Sequence, residues 1–178
     1  MNLSVTKALP EEAESIVELY HLIIEQLPTL QYHPKWTRDV YPADDYLRES
    51  VMKGEMYRID CDGKPVGGMI LNGHEVEGYE SAPWSIKAAP DEVGVIHTLG
   101  ILPPYANRGI GSFAVTEAMD ILRKQGKRVI RLDVLLGNLP AEKLYKRLGF
   151  SFVQRVRLYY EDTGWCEFDL YEKNISEN

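Results

Sequence analysis

The most restrictive feature of this sequence is a strand–helix–strand pattern in its second half. Residues 93–102 form an apolar run of strand length, residues 109–125 carry apolar side chains at helical spacing up to Gly126, and residues 128–136 form a second apolar run. Two strands joined through a helix run parallel in one sheet, because the helix returns the chain to the same edge. The pattern therefore predicts a parallel pair around a central helix.

The remaining segments predict further strands and helices around that unit. A strand over 3–9 precedes a helix that begins near Pro10 and ends at Pro28, and a second helix covers 43–53. Strands 55–61 and 64–72 form a hairpin across Asp62-Gly63, a strong turn dipeptide. A short helix over 140–148 is followed by strands near 150–160 and 165–173. The order β-α-α-β-β-β-α-β-α-β-β indicates a mixed α/β sheet.

Composition bounds the class of protein. The 178 residues fit one domain spanning 1–178, and 44% of them are hydrophobic, enough for a sizeable core. The formal net charge of −7 disfavours nucleic acid and membrane surfaces as partners, because both attract basic proteins. We find neither a signal-peptide run nor an apolar stretch of spanning length and expect a cytoplasmic protein. Cys61 and Cys166 lack metal-ligand spacing, so we expect reduced thiols and no metal site.

A glycine-containing loop joins the strand 93–102 to the central helix. It reads Ala106-Asn107-Arg108-Gly109-Ile110-Gly111-Ser112. The missing Cβ atoms at Gly109 and Gly111 let backbone N–H groups approach an anion closely, and the first N–H groups of a helix have no internal partners. The loop therefore favours a phosphate or pyrophosphate, to which Arg108 would add charge. An ordinary helix-entry turn is the alternative.

Two other phosphate-binding motifs fit less well. A Walker loop requires Gly-Lys-Ser/Thr, whereas Gly111 is followed directly by Ser112. Residues 109–114 do match the dinucleotide fingerprint G-x-G-x-x-A, with Asp133 at a suitable separation for a ribose-binding acid. However, seven residues separate Ile101 from Gly109, and Asp133 is followed by more apolar strand. A nicotinamide-dinucleotide binder is therefore the weaker alternative.

A second motif follows the strand 128–136. It reads Asn138-Leu139-Pro140-Ala141-Glu142-Lys143-Leu144-Tyr145-Lys146-Arg147-Leu148-Gly149-Phe150. Together with the strand 95–101 and the glycine loop, it closely resembles the GNAT superfamily of acyl-CoA-dependent N-acetyltransferases. The loop is similar to that family's R/Q-x-x-G-x-G/A pyrophosphate loop, and the later segment to its N-x-x-A-x-x-L-Y-x-x-x-G-F pattern. One departure is Ala106, which occupies the position usually held by Arg or Gln.

The resemblance implies both a fold and a cofactor. The fold would be GNAT-like, with about seven mostly antiparallel strands, a central parallel pair that splays, and about four flanking helices. The cofactor would be acetyl-CoA, with its pantetheine arm on residues 99–101, its pyrophosphate on the loop 107–112 and its thioester near the second motif. By that resemblance the cofactor-binding residues are Leu99, Gly100, Ile101, Asn107, Arg108, Gly109, Ile110, Gly111, Ser112, Asn138, Ala141 and Tyr145.

The chemistry of acetyl transfer to an amine needs two proton movements. Tyr145 matches the family's tyrosine that donates a proton to the departing thiolate, although it could instead be a packed helix aromatic. His97 is the candidate base, since it is predicted to share a strand face with Val95, Leu99 and Ile101. A buried, structural histidine is the equal alternative. Glu75 and Glu92 are weaker candidates, and neither cysteine has a basic neighbour that would favour a covalent route.

The acceptor site is expected in the loops 31–41 and 73–84, whose aromatic residues could enclose a flat or cationic group. These residues are Tyr32, Trp36, Tyr41, Tyr79 and Trp84. We therefore expect an N-acetyltransferase that transfers an acetyl group from acetyl-CoA by direct attack to an amine, in a small molecule, an amino acid derivative or a peptide N-terminus. A non-catalytic acyl-CoA sensor is a second hypothesis. Pairing of the final strands across a two-fold axis would give a homodimer.

Overall fold

The predicted order of elements is confirmed by a computed structural model, which describes residues 1–76, 78–161 and 163–176. Within those ranges the strands and helices are β1 (Leu3–Lys7), α1 (Ala13–Gln26), α2 (Asp44–Met52), β2 (Met56–Cys61), β3 (Lys64–Asn72), β4 (Val93–Ile101), α3 (Ile110–Lys124), β5 (Val129–Leu135), α4 (Leu139–Arg147), β6 (Ser151–Tyr160) and β7 (Gly164–Asn174). The largest difference from prediction is at α1, where Pro10–Glu12 forms a separate 3-10 turn ahead of the helix.

The seven strands of the described residues form one sheet in the order β1-β2-β3-β4-β5-β7-β6. β4 and β5 are parallel, as predicted, and the other pairings in these ranges are antiparallel. Pairing between β4 and β5 is confined to residues 93–95 and 129–131, although β4 has nine residues and β5 has seven. The two strands therefore separate toward their carboxyl ends. This gap in the sheet is the splay that the family resemblance implies.

Helices cover both faces of the sheet. Because side chains alternate along a strand, the neighbouring residues Ile70 and Leu71 of β3 point to opposite faces, and they belong to two different apolar clusters. Ile70 packs with α1 and α2, whereas Leu71 packs with α3, which buries Val115, Ala118 and Leu122. None of the described helices combines the length and the hydrophobicity needed to cross a membrane. Since α3 follows β4 and α4 follows β5, both helices begin near the gap.

β4 contains a bulge near its carboxyl end. Gly68 of β3 pairs with Gly100 and Ile70 pairs with His97, so two residues of β4 lie opposite a single residue of β3. Thr98 lies in the bulge and has a φ of 50°, in the left-handed region. The buried hydroxyl of Tyr20 on α1 donates a hydrogen bond of 2.9 Å to the Thr98 carbonyl oxygen. This bond holds the bulge against α1.

The bulge changes which side chains of β4 share a face. Strict alternation predicts that Val95, His97, Leu99 and Ile101 point the same way. In the structure, Leu99 and Ile101 pack with the α3 cluster, whereas Val95 packs with Val129 on the opposite face. The prediction is wrong beyond the bulge, because one extra residue reverses the alternation of everything after it.

Candidate active site

Two adjoining cavities, which share six lining residues, lie at the gap between β4 and β5. The wide cavity, of about 440 Å³, is lined by residues from the α1–α2 segment, the end of β4, the glycine loop and α4. The narrow cavity, of about 140 Å³, is lined by residues of β4, β5, α4, β6, β7, the turn between β6 and β7, and the α1–α2 segment. The residues that line both are Pro34, Trp36, Leu99, Asn138, Ala141 and Tyr145. A reactive group bound in one cavity would therefore meet a group bound in the other beside Tyr145.

The glycine loop closes one end of the wide cavity and has the conformation expected of an anion cradle. Asn107 and Gly109 have φ values of 60° and 81°. The Phe113 N–H donates to the Gly109 carbonyl oxygen at 3.0 Å, so the preceding amides at the start of α3 have no intrahelical acceptor. Gly111 packs closely against α4, since a Cβ there would lie 3.3 Å from a methyl carbon of Leu144. The loop therefore offers free amides at the positive end of the α3 dipole.

The structure brings most of the predicted cofactor residues together around the wide cavity. Those that line it are Leu99, Gly100, Ile101, Asn107, Gly109, Gly111, Ser112, Asn138, Ala141 and Tyr145. Two predicted residues have side chains elsewhere: Ile110 is buried in the α3 core, and the Arg108 guanidinium lies 5.7 Å from the centre of the Tyr105 ring. Ile110 can contribute only its backbone N–H. Arg108 does not line the cavity that it was expected to charge.

Positive charge comes instead from α4. Lys143 and Arg147, four residues apart and therefore on one face of the helix, both line the wide cavity. The Arg147 guanidinium donates a hydrogen bond to the Ser112 hydroxyl at the glycine loop. This role was not predicted from the sequence, although the spacing of two basic residues within the second motif was a usable signal. Arg147 thus supplies a cation beside the loop in which Ala106 replaces the usual Arg or Gln.

Tyr145 lies at the junction of the two cavities. Its side chain is buried, and its ring packs edge-on against Phe150 with centroids 5.3 Å apart. Its hydroxyl makes no hydrogen bond to a residue in the described ranges, and burial, with the nearby charge of Asp133, raises the pKa of this phenol well above its ordinary value. Tyr145 therefore keeps its proton at neutral pH and has a hydroxyl available to a bound molecule.

His97 lines the narrow cavity from β4, and its hydrogen bonds show which ring nitrogen carries a proton. The Asn72 side-chain amide donates to Glu55 at 3.0 Å, so its oxygen faces His97 and accepts from the His97 Nε2–H at 3.0 Å. Burial lowers the pKa of His97 from 6.5 to about 4, against a hydrogen bond to the His74 backbone that raises it. His97 is therefore neutral at physiological pH. A neutral, weakly basic, hydrogen-bonded imidazole is better suited to positioning than to proton abstraction.

Asp133 on β5 faces the narrow cavity from the opposite side of the gap. Its carboxylate accepts a hydrogen bond of 2.6 Å from the Tyr79 hydroxyl and a longer one of 3.3 Å from the Tyr160 hydroxyl. Burial raises the pKa of Asp133 above its ordinary value, and the two tyrosine hydrogen bonds partly oppose that rise. A carboxylate in this position is a stronger base than one in water. In the sequence, Asp133 was recognisable as the one acid within the largely apolar strand β5.

The five aromatic residues predicted for the acceptor site have three different locations. Trp36 and Tyr41 line the narrow cavity, as two of its walls. Tyr32 lines the wide cavity. Tyr79 is fully buried and supports Asp133, while the Trp84 indole N–H donates to the Tyr79 carbonyl oxygen at 2.7 Å. Two further cavity aromatics, which the sequence analysis did not identify, are Tyr160 on β6 and Phe168 on β7.

Salt bridges hold the loop that carries Tyr79 against the sheet. Residue 77 of that loop lies outside the described ranges. Glu75 pairs with Arg131 of β5 at 2.7 Å, and the Arg131 guanidinium also lies 4.4 Å from the centre of the Trp84 ring. Glu92, at the far end of the connection, pairs with Arg128 at 3.0 Å. Both weaker base candidates are therefore bound to arginines, and neither lines a cavity.

Comparison with known proteins gives one family. The sequence model of the acetyltransferase (GNAT) family matches residues 16–150. An uncharacterized N-acetyltransferase of Methanocaldococcus jannaschii is 28% identical over 163 residues, which are 91% of this chain and 62% of that protein. This chain therefore spans less than two thirds of the length of that relative.

Solved structures show the same fold at low sequence identity. A GNAT-family acetyltransferase from Streptococcus agalactiae has a TM-score of 0.78 and 18% identity, covering 99% of this chain and 96% of that one. The YncA protein of Salmonella typhimurium, solved with its cofactor acetyl-CoA, has a TM-score of 0.69 and 15% identity, covering 100% and 96%. With the family match over most of its length, this chain belongs to the GNAT family of acetyltransferases.

Proposed function

We propose that this chain transfers an acetyl group from acetyl-CoA to a primary amine. The observation that carries the proposal is the junction of the two cavities at Tyr145, with free helix amides at one end and a buried carboxylate at the other. The family assignment agrees with it. A protein that only bound acyl-CoA would need the wide cavity and would have no use for the second one.

The residues around the wide cavity fit acetyl-CoA. Amides at the start of α3 suit the pyrophosphate, and a Cβ at Gly111 would crowd Leu144 within the cradle. Arg147 and Lys143 add the charge that a multiply anionic cofactor requires. Residues 99–101, beyond the last pairing with β5, would hold the pantetheine arm. The cofactor supplies an acetyl group activated as a thioester.

Asp133 and Tyr145 divide the two proton movements between them. Asp133, with its raised pKa, takes a proton from the acceptor ammonium, so that the nitrogen can form a bond to the acetyl carbon as the bond to sulfur breaks. Tyr145, protonated at neutral pH, gives its proton to the departing sulfur. His97, held by Asn72, keeps the β4 side of the narrow cavity neutral. Once bonded to the acetyl carbon, the nitrogen gives its second proton to the Tyr145 phenolate, and Asp133 returns its proton to water, so both residues regain their starting protonation states.

The direct test combines cofactor binding with turnover. Acetyl-CoA at a hundredfold excess over its Kd should stabilise the protein by about 2.7 kcal/mol, which is a rise of about 5–10 °C in Tm for a chain of this size. CoA release in the presence of an amine panel should then be detectable. The absence of both a Tm rise and turnover would refute the proposal.

Replacing Tyr145 by Phe separates binding from chemistry. Because the Tyr145 hydroxyl bonds to no described residue, Tyr145→Phe removes the proton donor with little change in packing. We expect kcat to fall about 100-fold, within the range of general acid catalysis, with the acetyl-CoA Tm shift retained. Tyr159→Phe, at a tyrosine that is 57% exposed, is the matched control. Equal activity of the two variants would exclude Tyr145 as the acid.

A further inference from the structure

The narrow cavity is walled by a continuous row of aromatic rings. Trp36 and Tyr41 have ring centroids 6.4 Å apart, Tyr41 and Tyr160 are 5.1 Å apart, and Tyr160 and Phe168 are also 5.1 Å apart. All three contacts are edge-on or tilted, so the rings present faces as well as edges to their surroundings. Such walls favour an apolar group, and ring faces attract an ammonium.

The charged residues around the narrow cavity also limit which charged groups an acceptor can carry. Among the described residues that line it, Asp133 is the only Asp, Glu, Lys or Arg, and His97 is neutral at physiological pH. Neither lysine nor arginine occurs in that part of the lining. An acceptor ammonium would pair with Asp133. A carboxylate or phosphate on the acceptor would share the cavity with Asp133 and would have no cation to neutralise it, which is strongly unfavourable away from water.

The size of the narrow cavity limits the acceptor as well. Its volume of about 140 Å³ is close to the ~150 Å³ of an engineered apolar cavity that takes up one benzene molecule. The part of the acceptor buried there is therefore about one ring, or an aliphatic group of the same bulk. A long or branched polar molecule would have to leave most of its atoms outside.

We propose that the acceptor is a small apolar primary amine, with about one ring beyond its ammonium and without an acidic group. The proposal rests on the acetyl transfer proposed above and names its substrate class. The ammonium lies against Asp133, and the apolar group fills the space between the aromatic walls. The lack of a cation disfavours free amino acids and other acidic amines, and the small volume disfavours acceptors such as peptides, most of whose atoms would lie outside the narrow cavity.

The test compares two acceptors that differ by one carboxylate. With saturating acetyl-CoA, kcat/KM should be about 100-fold higher for 2-phenylethylamine than for L-phenylalanine, because the second brings an unpaired charge beside Asp133. A tripeptide amide beginning with alanine should also be a poorer acceptor than 2-phenylethylamine. A preference below tenfold over L-phenylalanine, or a preference for the peptide, would overturn the proposal.

A variant with an added cation tests the reason for the preference. Thr163 lines the narrow cavity, and its hydroxyl has no hydrogen-bond partner within the described residues, so its replacement removes no hydrogen bond found there. Thr163→Lys should lower the ratio of kcat/KM for 2-phenylethylamine to kcat/KM for L-phenylalanine at least fivefold. Trp165→Lys adds the same charge nearby, at a side chain that is 61% exposed and does not line the cavity, and should leave the preference unchanged. Equal effects of the two variants would refute the explanation by local charge.

The outcomes also separate this proposal from the proposed function. If neither a Tm rise with acetyl-CoA nor acetylation of any amine were observed, acetyl transfer itself would be refuted. If amines were acetylated but acidic ones were used as well as 2-phenylethylamine, acetyl transfer would stand and the substrate class would be wrong.

Discussion

The wide and narrow cavities meet at Tyr145 but are built from different kinds of chemical group. The wide cavity presents backbone amides of the glycine loop and the cations Lys143 and Arg147. The narrow cavity presents aromatic side chains and one carboxylate, Asp133. A backbone cradle depends on local conformation and accepts one fixed ligand, whereas a side-chain cavity changes with every substitution in its walls. We infer that the first serves the cofactor and the second sets the acceptor.

The largest effect that would test this division is expected at Asp133. Asp133→Asn can still accept hydrogen bonds from Tyr79 and Tyr160 but cannot take a proton. We expect kcat to fall about 1000-fold with the KM for acetyl-CoA within twofold of the original value. In the unmodified protein, activity should fall as the pH drops through the raised pKa of Asp133, because the carboxylate must be ionised to act as a base.

Steady-state kinetics over pH 5–9 would measure kcat and the KM for acetyl-CoA. The Tm shift by acetyl-CoA would check that the wide cavity still binds the cofactor. Retention of more than a tenth of kcat in Asp133→Asn would place the base elsewhere. A matching loss of acetyl-CoA binding would show that the two cavities are not independent.

This difference between the cavities also explains what the sequence could predict. The wide cavity is formed largely by two continuous segments, 99–112 and 138–147, whose glycine and tyrosine spacing is readable along the chain. The narrow cavity joins Asp133, Tyr160 and Phe168, which come together through the strand order of the sheet, and adds Trp36 from the α1–α2 segment. The spacing of residues along the chain does not predict that order, so Tyr160 and Phe168 were not predicted to line the acceptor site.

Two errors have a more local origin. The side-chain directions of Leu99 and Ile101 were assigned by strict alternation, which the bulge at Thr98 reverses. Arg108 was expected to add positive charge to the glycine loop because it lies within the loop sequence, yet Arg147 supplies that charge through the packing of α4 beside the loop. In both cases a contact between elements overrides a rule that applies within one element.

An intermediate effect is expected at His97, as a change in stability with pH. The pKa of His97 is lowered from 6.5 to about 4, so the unfolded chain binds a proton first as the pH falls. Stability is therefore lost between about pH 6.5 and pH 4, by about 3 kcal/mol. His97→Gln lacks this titration. Between pH 6.5 and pH 4, the free energy of unfolding of the variant should therefore fall by about 3 kcal/mol less than that of the unmodified protein.

Urea unfolding of both proteins at pH 7 and pH 4 would measure the difference. At pH 7 we expect His97→Gln to retain kcat within tenfold, because the proposed mechanism assigns proton removal to Asp133 and not to His97. A loss of kcat in His97→Gln comparable to that in Asp133→Asn, together with equal pH dependence of stability in His97→Gln and the unmodified protein, would contradict this. The base would then be His97 on β4 and not Asp133 on β5.

The smallest effect is expected at the rim of the wide cavity. Arg147→Ala removes a cation and a hydrogen-bond donor next to Ser112, and we expect the KM for acetyl-CoA to rise about 5–10-fold with kcat nearly unchanged, since a charged hydrogen bond at an exposed site is worth about 1–1.5 kcal/mol. Lys146→Ala is the matched control, because Lys146 lies on the same helix, pairs with Glu142 and lines neither cavity. The effect should shrink at high salt, as expected of an exposed charge. If Arg147→Ala instead changed the preference among acceptors and left the KM for acetyl-CoA unaffected, Arg147 would act on the acceptor. The assignment of the wide cavity to the cofactor alone would then be wrong.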